Sequence, residues 1–198
     1  MPTPKTSFEA PLWKSVEGEW RHIFGNYKDL GISMEWHDFD CDKTLDWSQS
    51  FHPGSLEICL NLSGCGSVND GKTRKLINPQ TVSYYFPDED RVTADRHIGQ
   101  RHRFLTLEIS PEWLAKNSQG ITKGLAPNTR HFLDGGRPQN DDKTTVLNSR
   151  LQSMMQDICN PPVPKISAPL WLESKALEIV SQTLFAPRED ELFCVRQN

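Results

Sequence analysis

The residues of this chain whose types and spacing could do chemistry lie in the stretch FHPGSLEICLNLSGCGSV, at positions 51–68. His52 is followed after four residues by Glu57, and Gly64 follows after six more. Imidazole nitrogens and carboxylate oxygens bind transition metals such as iron, manganese, nickel and zinc. On an alternating strand that runs into a glycine-rich turn, this spacing is typical of one half of a small-molecule pocket in a β-barrel.

The other half of a metal site is missing from the sequence. A barrel metal site of the cupin type uses three imidazoles and one carboxylate, and the first two imidazoles come as His-x-His. Ser50 stands where the first imidazole is expected, and Tyr84 stands where the third is expected. Two protein ligands rarely hold a catalytic metal. The sequence also has no nucleophile elbow, phosphate loop or dinucleotide fingerprint. We therefore predict no metal, no cofactor, no catalytic residues and no enzyme activity.

Composition restricts the partners of the chain. The 198 residues carry a formal net charge of -4, and the isoelectric point is about 5.9. A free-standing DNA-binding domain usually has a basic face and a high isoelectric point, so these residues alone are not expected to bind nucleic acid or a membrane. No apolar run approaches the roughly 20 residues of a membrane-spanning helix. The five cysteines include no C-x-x-C pair, which favours reduced thiols and a cytoplasmic protein.

Residues up to about 110 have the alternation of β-strands. Leu56 to Leu62 alternate strictly with polar residues, which predicts a strand with two different environments. Glu57 then either lines a pocket or faces solvent. Further strands are predicted at 31–37, 44–51, 73–77, 81–86 and 101–109, with turns between them. Short strands in this order, followed by helices, predict a mainly β fold: a cupin-like jelly-roll β-barrel followed by a C-terminal α-helical hairpin.

The pattern becomes helical after residue 110. Ser110-Pro111 is a helix-start signal, and residues 117–142 have the composition of a long loop. The next helix is predicted to carry one apolar stripe, formed by Leu147, Leu151, Met154 and Ile158. Prolines at 161–164 end that helix. A second helix over 168–185 is predicted to carry a stripe of its own, formed by Leu170, Leu177, Val180 and Leu184.

Four segments together resemble a known family. They are SLEICLNLSGCGSV, NPQTVSYYFPDE, RHRFLTLEISPEWLAKN and PLWLESKALEIVSQTLF. Their order is similar to that in the N-terminal effector-binding domain of AraC/XylS-type transcription regulators, in the pyochelin-regulator-like branch. The resemblance implies a barrel at 1–110 that binds a small-molecule effector, and a helical dimerisation or linker segment at 111–198. It also implies that DNA is bound through a C-terminal domain expected after residue 198.

A pocket and a dimer interface follow from this interpretation. The candidate ligand-binding residues are aromatic or carry a polar group on the barrel strands: Trp36, Trp47, His52, Glu57, Cys59, Tyr84 and Phe86. The candidate dimerisation residues are those of the first stripe, Leu147, Leu151, Met154 and Ile158, with much of that stripe expected to pack within the chain. A homodimer is predicted on this basis.

Two other functions fit the sequence. One is a metal-dependent cupin enzyme whose degenerate site is completed by His97 or His102. The other is an interaction module with a filled barrel and no ligand. The aromatic residues are compatible with either, since barrels use them both as core and as pocket walls.

Overall fold

Two antiparallel β-sheets face each other, and helices cover the outer side of the larger sheet. The computed structural model describes residues 16–69, 73–87, 92–119, 121–136, 138 and 144–185. The larger sheet has the strand order β1-β2-β9-β4-β7-β10 and the smaller one has the order β3-β8-β5-β6. The strands are Glu17–Asn26 (β1), Ile32–Asp40 (β2), Leu45–Asp46 (β3), Leu56–Ser63 (β4), Gly66–Asn69 (β5), Arg74–Ile77 (β6), Thr81–Tyr85 (β7), Thr93–Arg96 (β8), Arg101–Ile109 (β9) and Thr145–Val146 (β10).

Five α-helices are described, and two of them form the hairpin. They are Tyr27–Leu30 (α1), Pro111–Ser118 (α2), Pro127–Leu133 (α3), Ser149–Cys159 (α4) and Ala168–Thr183 (α5). The predicted cap is present, because Ser110 Oγ accepts a hydrogen bond from the backbone N–H of Trp113. Arg150 at the start of α4 bonds Glu178 in the second half of α5, so the two helices run antiparallel. None of the described helices is long and apolar enough to span a membrane.

The central strands bury both of their faces. Leu56, Ile58 and Leu60 on β4 belong to the core between the larger sheet and the helices. Cys59, on the opposite face of β4, belongs to a second core between the two sheets. Because side chains alternate along a strand, each central strand supplies both cores. The predicted mainly β fold with a helical hairpin is confirmed, and the space between the sheets is the interior of the barrel.

Three element predictions need correction. The strand predicted at 44–51 is only Leu45–Asp46, and a 3₁₀-helix, Ser48–Ser50, follows it. The loop predicted at 117–142 contains α3, whose start at Pro127 follows the preference of proline for the first helical turn. On α5 the predicted Val180 is buried, as is Leu184 just after the helix. The other buried residues of this helix are Leu172, Ala176 and Ile179. Leu170 and Leu177 are exposed.

The stripe predicted for dimerisation lies inside the chain. Its four side chains are between 1% and 5% exposed and belong to the core between the helices and the larger sheet: Leu147, Leu151, Met154 and Ile158. Apolar side chains already buried at this level have little surface left for a second subunit. All four residues of the stripe therefore pack within the chain. Dimerisation stays a prediction, and its interface must be formed by other residues.

A pair of leucines on α5 tests this orientation. Leu172 is 6% exposed and Leu170 is 73% exposed. We expect Leu172→Ala to lower the free energy of unfolding by about 2 kcal/mol, because it leaves a cavity in the core. Leu170→Ala, the matched control, should change the free energy by less than about 0.5 kcal/mol when both variants are measured at a concentration at which the chain is monomeric. Urea unfolding followed by circular dichroism measures both values, and equal losses would contradict the assigned face.

Candidate functional site

A small polar cavity lies between the two sheets. It has a volume of about 10 Å³, which is room for about one water molecule. Its walls are mostly polar and come mainly from the interior faces of β2, β4 and β9: Ser33, Glu35, His37, Trp47, Ser50, Glu57, Phe104, Thr106 and Glu108. In this conformation the cavity is too small for an organic molecule, so a larger guest requires side chains to move.

Strand register brings three carboxyl groups to this cavity. Glu57 on β4 is directly opposite Glu108 on β9, and Glu35 on β2 is opposite Thr106, two residues before Glu108. All three glutamates are buried, with exposed fractions of 4% to 5%. Carboxylates directly opposite each other repel and destabilise a sheet. Such an arrangement needs compensation, either by protonation or by a bound group.

Two of the three carboxylates receive hydrogen bonds from the protein. Glu35 Oε2 accepts one from Trp20 Nε1 at 2.9 Å. Glu108 accepts one from the backbone N–H of His52 at 2.9 Å, and its other oxygen is 2.7 Å from His52 Nδ1. Glu57 Oε1 is buried and has no hydrogen-bond partner among the described residues. The same holds for Trp47 Nε1, which also lines the cavity.

The pKa of the carboxyl group with the unpartnered oxygen is shifted. Burial raises the pKa of Glu57 well above its ordinary value, and the negative charges of Glu108 and Glu35 raise it further. Burial lowers the pKa of the neighbouring His37 well below its ordinary value, and Arg96 lowers it further. His37 is therefore neutral at neutral pH and does not act as a counter-ion.

Replacing Glu57 by glutamine tests the protonation state. The unfolded chain releases the Glu57 proton near pH 4.5, whereas the folded chain keeps it to higher pH. Wild-type stability therefore falls as the pH rises above that value, up to the folded pKa. We expect Glu57→Gln to be about 1–3 kcal/mol more stable than wild type at pH 8 and nearly equal near pH 4. Urea unfolding at both pH values measures this. The control is the exposed Glu173→Gln, and a pH-independent difference would contradict the prediction.

His52 lies at the border between this cavity and an open surface groove. Its ring stacks on Tyr27 with 4.5 Å between the ring centroids, and its bonds to Glu108 hold it in place. The groove has a volume of about 610 Å³ and is lined by α1, residues 52–53 and the start of α2. Burial, Glu108 and Glu112 raise the pKa of Tyr27 to about 12. The phenol is thus neutral at neutral pH.

Below the cavity the barrel contains a buried guanidinium that sequence analysis missed. Arg96 is fully buried, and its Cζ lies 3.9 Å from the Phe104 ring centroid and 5.3 Å from the Trp47 ring centroid. It donates hydrogen bonds to Asn61 Oδ1 and Cys59 Sγ. Burial raises the pKa of Cys59 to about 11, although Arg96 opposes the shift. No described residue forms an ion pair with Arg96.

The seven predicted pocket residues divide into separate groups. Trp47 and Glu57 line the cavity, His52 lies at its border, and Cys59 lies deeper, beside Arg96. The other three pack on the helix side of the larger sheet: Trp36, Tyr84 and Phe86. Their side chains lie on the face of the larger sheet that is opposite the cavity, so the structure does not bring them to it.

The histidines considered for a metal site lie elsewhere. The His102 ring packs on Phe39 and bonds the carbonyl of His97, and the His97 ring points to Asp95. Neither lines the cavity. Within the described ranges, no three His, Cys, Asp or Glu side chains are arranged to hold a metal ion.

Sequence reasoning missed Glu35 and Glu108 as cavity residues. Each is the fourth residue of an alternating segment, Ile-Ser-Met-Glu-Trp on β2 and Leu-Thr-Leu-Glu-Ile on β9. The signal that could have identified them is a charged residue with an apolar residue on each side in an alternating strand.

Comparison with known proteins gives one family match. Residues 29–190 match the sequence model described as the regulatory protein PchR N-terminal domain. A search of curated proteins finds no match.

Several solved structures are similar to this chain at low identity. Apo ToxT from Vibrio cholerae is 10% identical with a TM-score of 0.49, and the match covers 77% of this chain and 55% of that one. The cupin domain of an XRE-family transcriptional regulator from Enterobacter cloacae is 14% identical with a TM-score of 0.36, covering 47% and 96%. An HTH_3-family transcriptional regulator from Vibrio cholerae is 14% identical with a TM-score of 0.36, covering 46% and 50%. The matches thus span about half the length of ToxT and of the HTH_3-family regulator.

Proposed function

The chain belongs to the family of the regulatory protein PchR N-terminal domain, and we propose that it senses a small-molecule effector for an AraC-type transcription regulator. The effector binds inside the barrel. The observation that carries this proposal is the pair of buried polar atoms without described partners at one cavity, Glu57 Oε1 and Trp47 Nε1. Native interiors rarely leave such atoms unsatisfied, so a guest that supplies the missing hydrogen bonds is favoured.

The size of the cavity specifies how sensing works. Because the closed cavity holds only about one water molecule, the effector must bind a more open conformation. An effector shifts an equilibrium only if its affinity for the two states differs. We propose that binding opens the barrel near His52 and changes the packing of the helices on the larger sheet. A separate C-terminal domain of the full-length cytoplasmic regulator then contacts DNA.

Ligand screening by thermal shift tests this function. The full chain is screened with siderophores, sugars and aromatic acids. We expect a compound that raises the melting temperature of wild type, loses at least tenfold in affinity with Glu57→Gln, and binds normally to Tyr84→Phe. Tyr84 serves as the control because it lies outside the barrel and bonds the Thr183 carbonyl. Ligands indifferent to every cavity substitution would refute binding inside the barrel.

A homodimer is the second part of the proposal. Since the first helical stripe is buried, we propose that dimerisation uses the exposed apolar side chains of the hairpin, Leu170 and Leu177. Light scattering on Leu170→Glu and Leu177→Glu should show monomers. The control Leu76→Glu, at a 53% exposed position on the smaller sheet, should leave the dimer intact. A monomeric wild type would refute this part.

One observation favours a different function, an interaction module that binds no ligand. Aromatic rings already fill much of the barrel interior: Phe39, Trp47, Phe51, Tyr85 and Phe104. A screen without any cavity-dependent ligand, together with a stable dimer, would favour this alternative.

A further inference from the structure

The buried cavity and the open groove meet at a hydrogen-bonded pair of residues, His52 and Glu108. His52 lines the groove, whereas its hydrogen-bond partner Glu108 lines the cavity. The His52 side chain is 18% exposed and that of Glu108 is 5% exposed. The two hydrogen bonds of His52 to one carboxylate and its stacking on Tyr27 are the contacts that keep this border closed. Moving the His52 ring would therefore connect the two spaces.

We propose that the cavity is the subsite for a compact cationic donor group of the effector, a protonated primary amine, which enters from the groove by displacing His52 from Glu108. This inference rests on the proposed function, because it names the chemical class and the entrance of the same site. The rest of the effector lies in the groove, where Tyr27 and Trp113 offer aromatic surface.

The hydrogen-bonding groups of the cavity favour this class. Three carboxyl groups converge on a space of about 10 Å³, and an ammonium group has nearly the size of the water molecule that would fit there. Glu57 Oε1 is an acceptor without a described donor, and displacement of the His52 ring frees Oε2 of Glu108. A carboxylate guest would be repelled by the negative charges of Glu35 and Glu108. Trp47 Nε1 needs an acceptor, and we propose that the opened conformation admits a water molecule beside the ammonium group to supply it.

The charges around Glu57 also favour a cationic guest. Without a guest, burial and the negative charges of Glu108 and Glu35 hold the proton on Glu57, although Arg96 opposes them. A bound ammonium group replaces that proton as the compensating positive charge. Binding therefore releases a proton from Glu57, and its affinity rises as the pH rises through the pKa of Glu57. A neutral hydroxyl group would show neither effect.

Calorimetry with methylammonium chloride tests the class without knowledge of the whole effector. The full chain is titrated in two buffers of different ionisation heat, which measures proton release. Methanol, which matches methylammonium in size, and sodium acetate, a small anion, are titrated at equal ionic strength. We expect methylammonium to bind with proton release, and methanol and acetate to bind at least tenfold more weakly. Glu57→Gln should weaken methylammonium binding by at least tenfold and abolish proton release, whereas Glu173→Gln should bind like wild type.

Further variants test the entrance and the position of the subsite. His52→Ala removes the side chain at the border, and we expect it to bind methylammonium at least as tightly as wild type and faster. Thr106→Ile fills the cavity and should abolish binding. Circular dichroism confirms that each variant is folded.

Each remaining outcome decides against the proposal. Absence of methylammonium binding in both wild type and His52→Ala overturns it, as does binding that Glu57→Gln leaves unchanged. Preferential binding of methanol or acetate that Thr106→Ile abolishes refutes the cationic class and leaves the barrel as the sensor. If, in addition, no ligand from the thermal-shift screen depends on a cavity residue, the proposed function itself fails.

Discussion

Replacing Arg96 by alanine is expected to lower the free energy of unfolding by about 3–5 kcal/mol. The guanidinium is fully buried and lies against the rings of Phe104 and Trp47. Its removal leaves a void between these rings and takes away a donor from Asn61 Oδ1. Both losses fall in the core that joins the two sheets. Urea unfolding followed by far-ultraviolet circular dichroism measures the change.

Methionine at the same position separates packing from charge. Because Arg96 has no ion-pair partner among the described residues, its positive charge contributes desolvation cost without a strong compensating attraction. We therefore expect Arg96→Met to recover more than half of the stability lost in Arg96→Ala. Equal losses in the two variants would mean that the hydrogen bonds to Asn61 and Cys59, and not the packing, hold this part of the barrel together.

The second large effect is expected at Gly64, the last residue of the His52-x4-Glu57-x6-Gly64 spacing. Gly64 has a φ of +85°, and a Cβ atom there would overlap the ring of His102. His102 is fully buried and its Nε2 bonds the carbonyl of His97, so the ring cannot move away freely. We expect Gly64→Ala to cost about 3 kcal/mol, from left-handed backbone strain and overpacking together.

Gly54 supplies the matched control for this substitution. It also has a positive φ, +76°, but a Cβ atom there meets no atom within 4 Å. Gly54→Ala should therefore lower the free energy of unfolding by about 1 kcal/mol, through left-handed backbone strain alone. The difference between the two melting curves isolates the contact with His102. If both variants lose the same stability, Gly64 is required only for its backbone conformation.

The position of Gly64 also explains the role of each residue in the His52-x4-Glu57-x6-Gly64 spacing. In this chain Gly64 lies against the His102 ring and does not line the cavity. Glu57 lines the cavity, and His52 lies at its border. The three residues of the motif that resembles half of a metal site thus have three different structural roles. His52 closes the border, Glu57 faces the cavity, and Gly64 supports the turn between β4 and β5.

The sequence by itself determined the local elements. Strict alternation predicted β4, and the segment 101–109 was predicted with the bounds of β9. Ser110 and the following proline predicted the start of α2. These signals are local, because side-chain alternation and capping depend on residues a few positions apart. The apolar stripe from Leu151 to Ile158 was likewise correct, whereas Leu147, buried in the same core, precedes the helix.

Only the tertiary structure decided which strand face lines the cavity. Both faces of β2, β4 and β9 are buried, so alternation separates two sets of residues without telling which set meets the helices. Trp36, Tyr84 and Phe86 were assigned to the wrong set for this reason. The cavity itself depends on register: Glu57 meets Glu108 only because β4 pairs with β9. Such pairing joins residues far apart in the chain, and no local pattern encodes it.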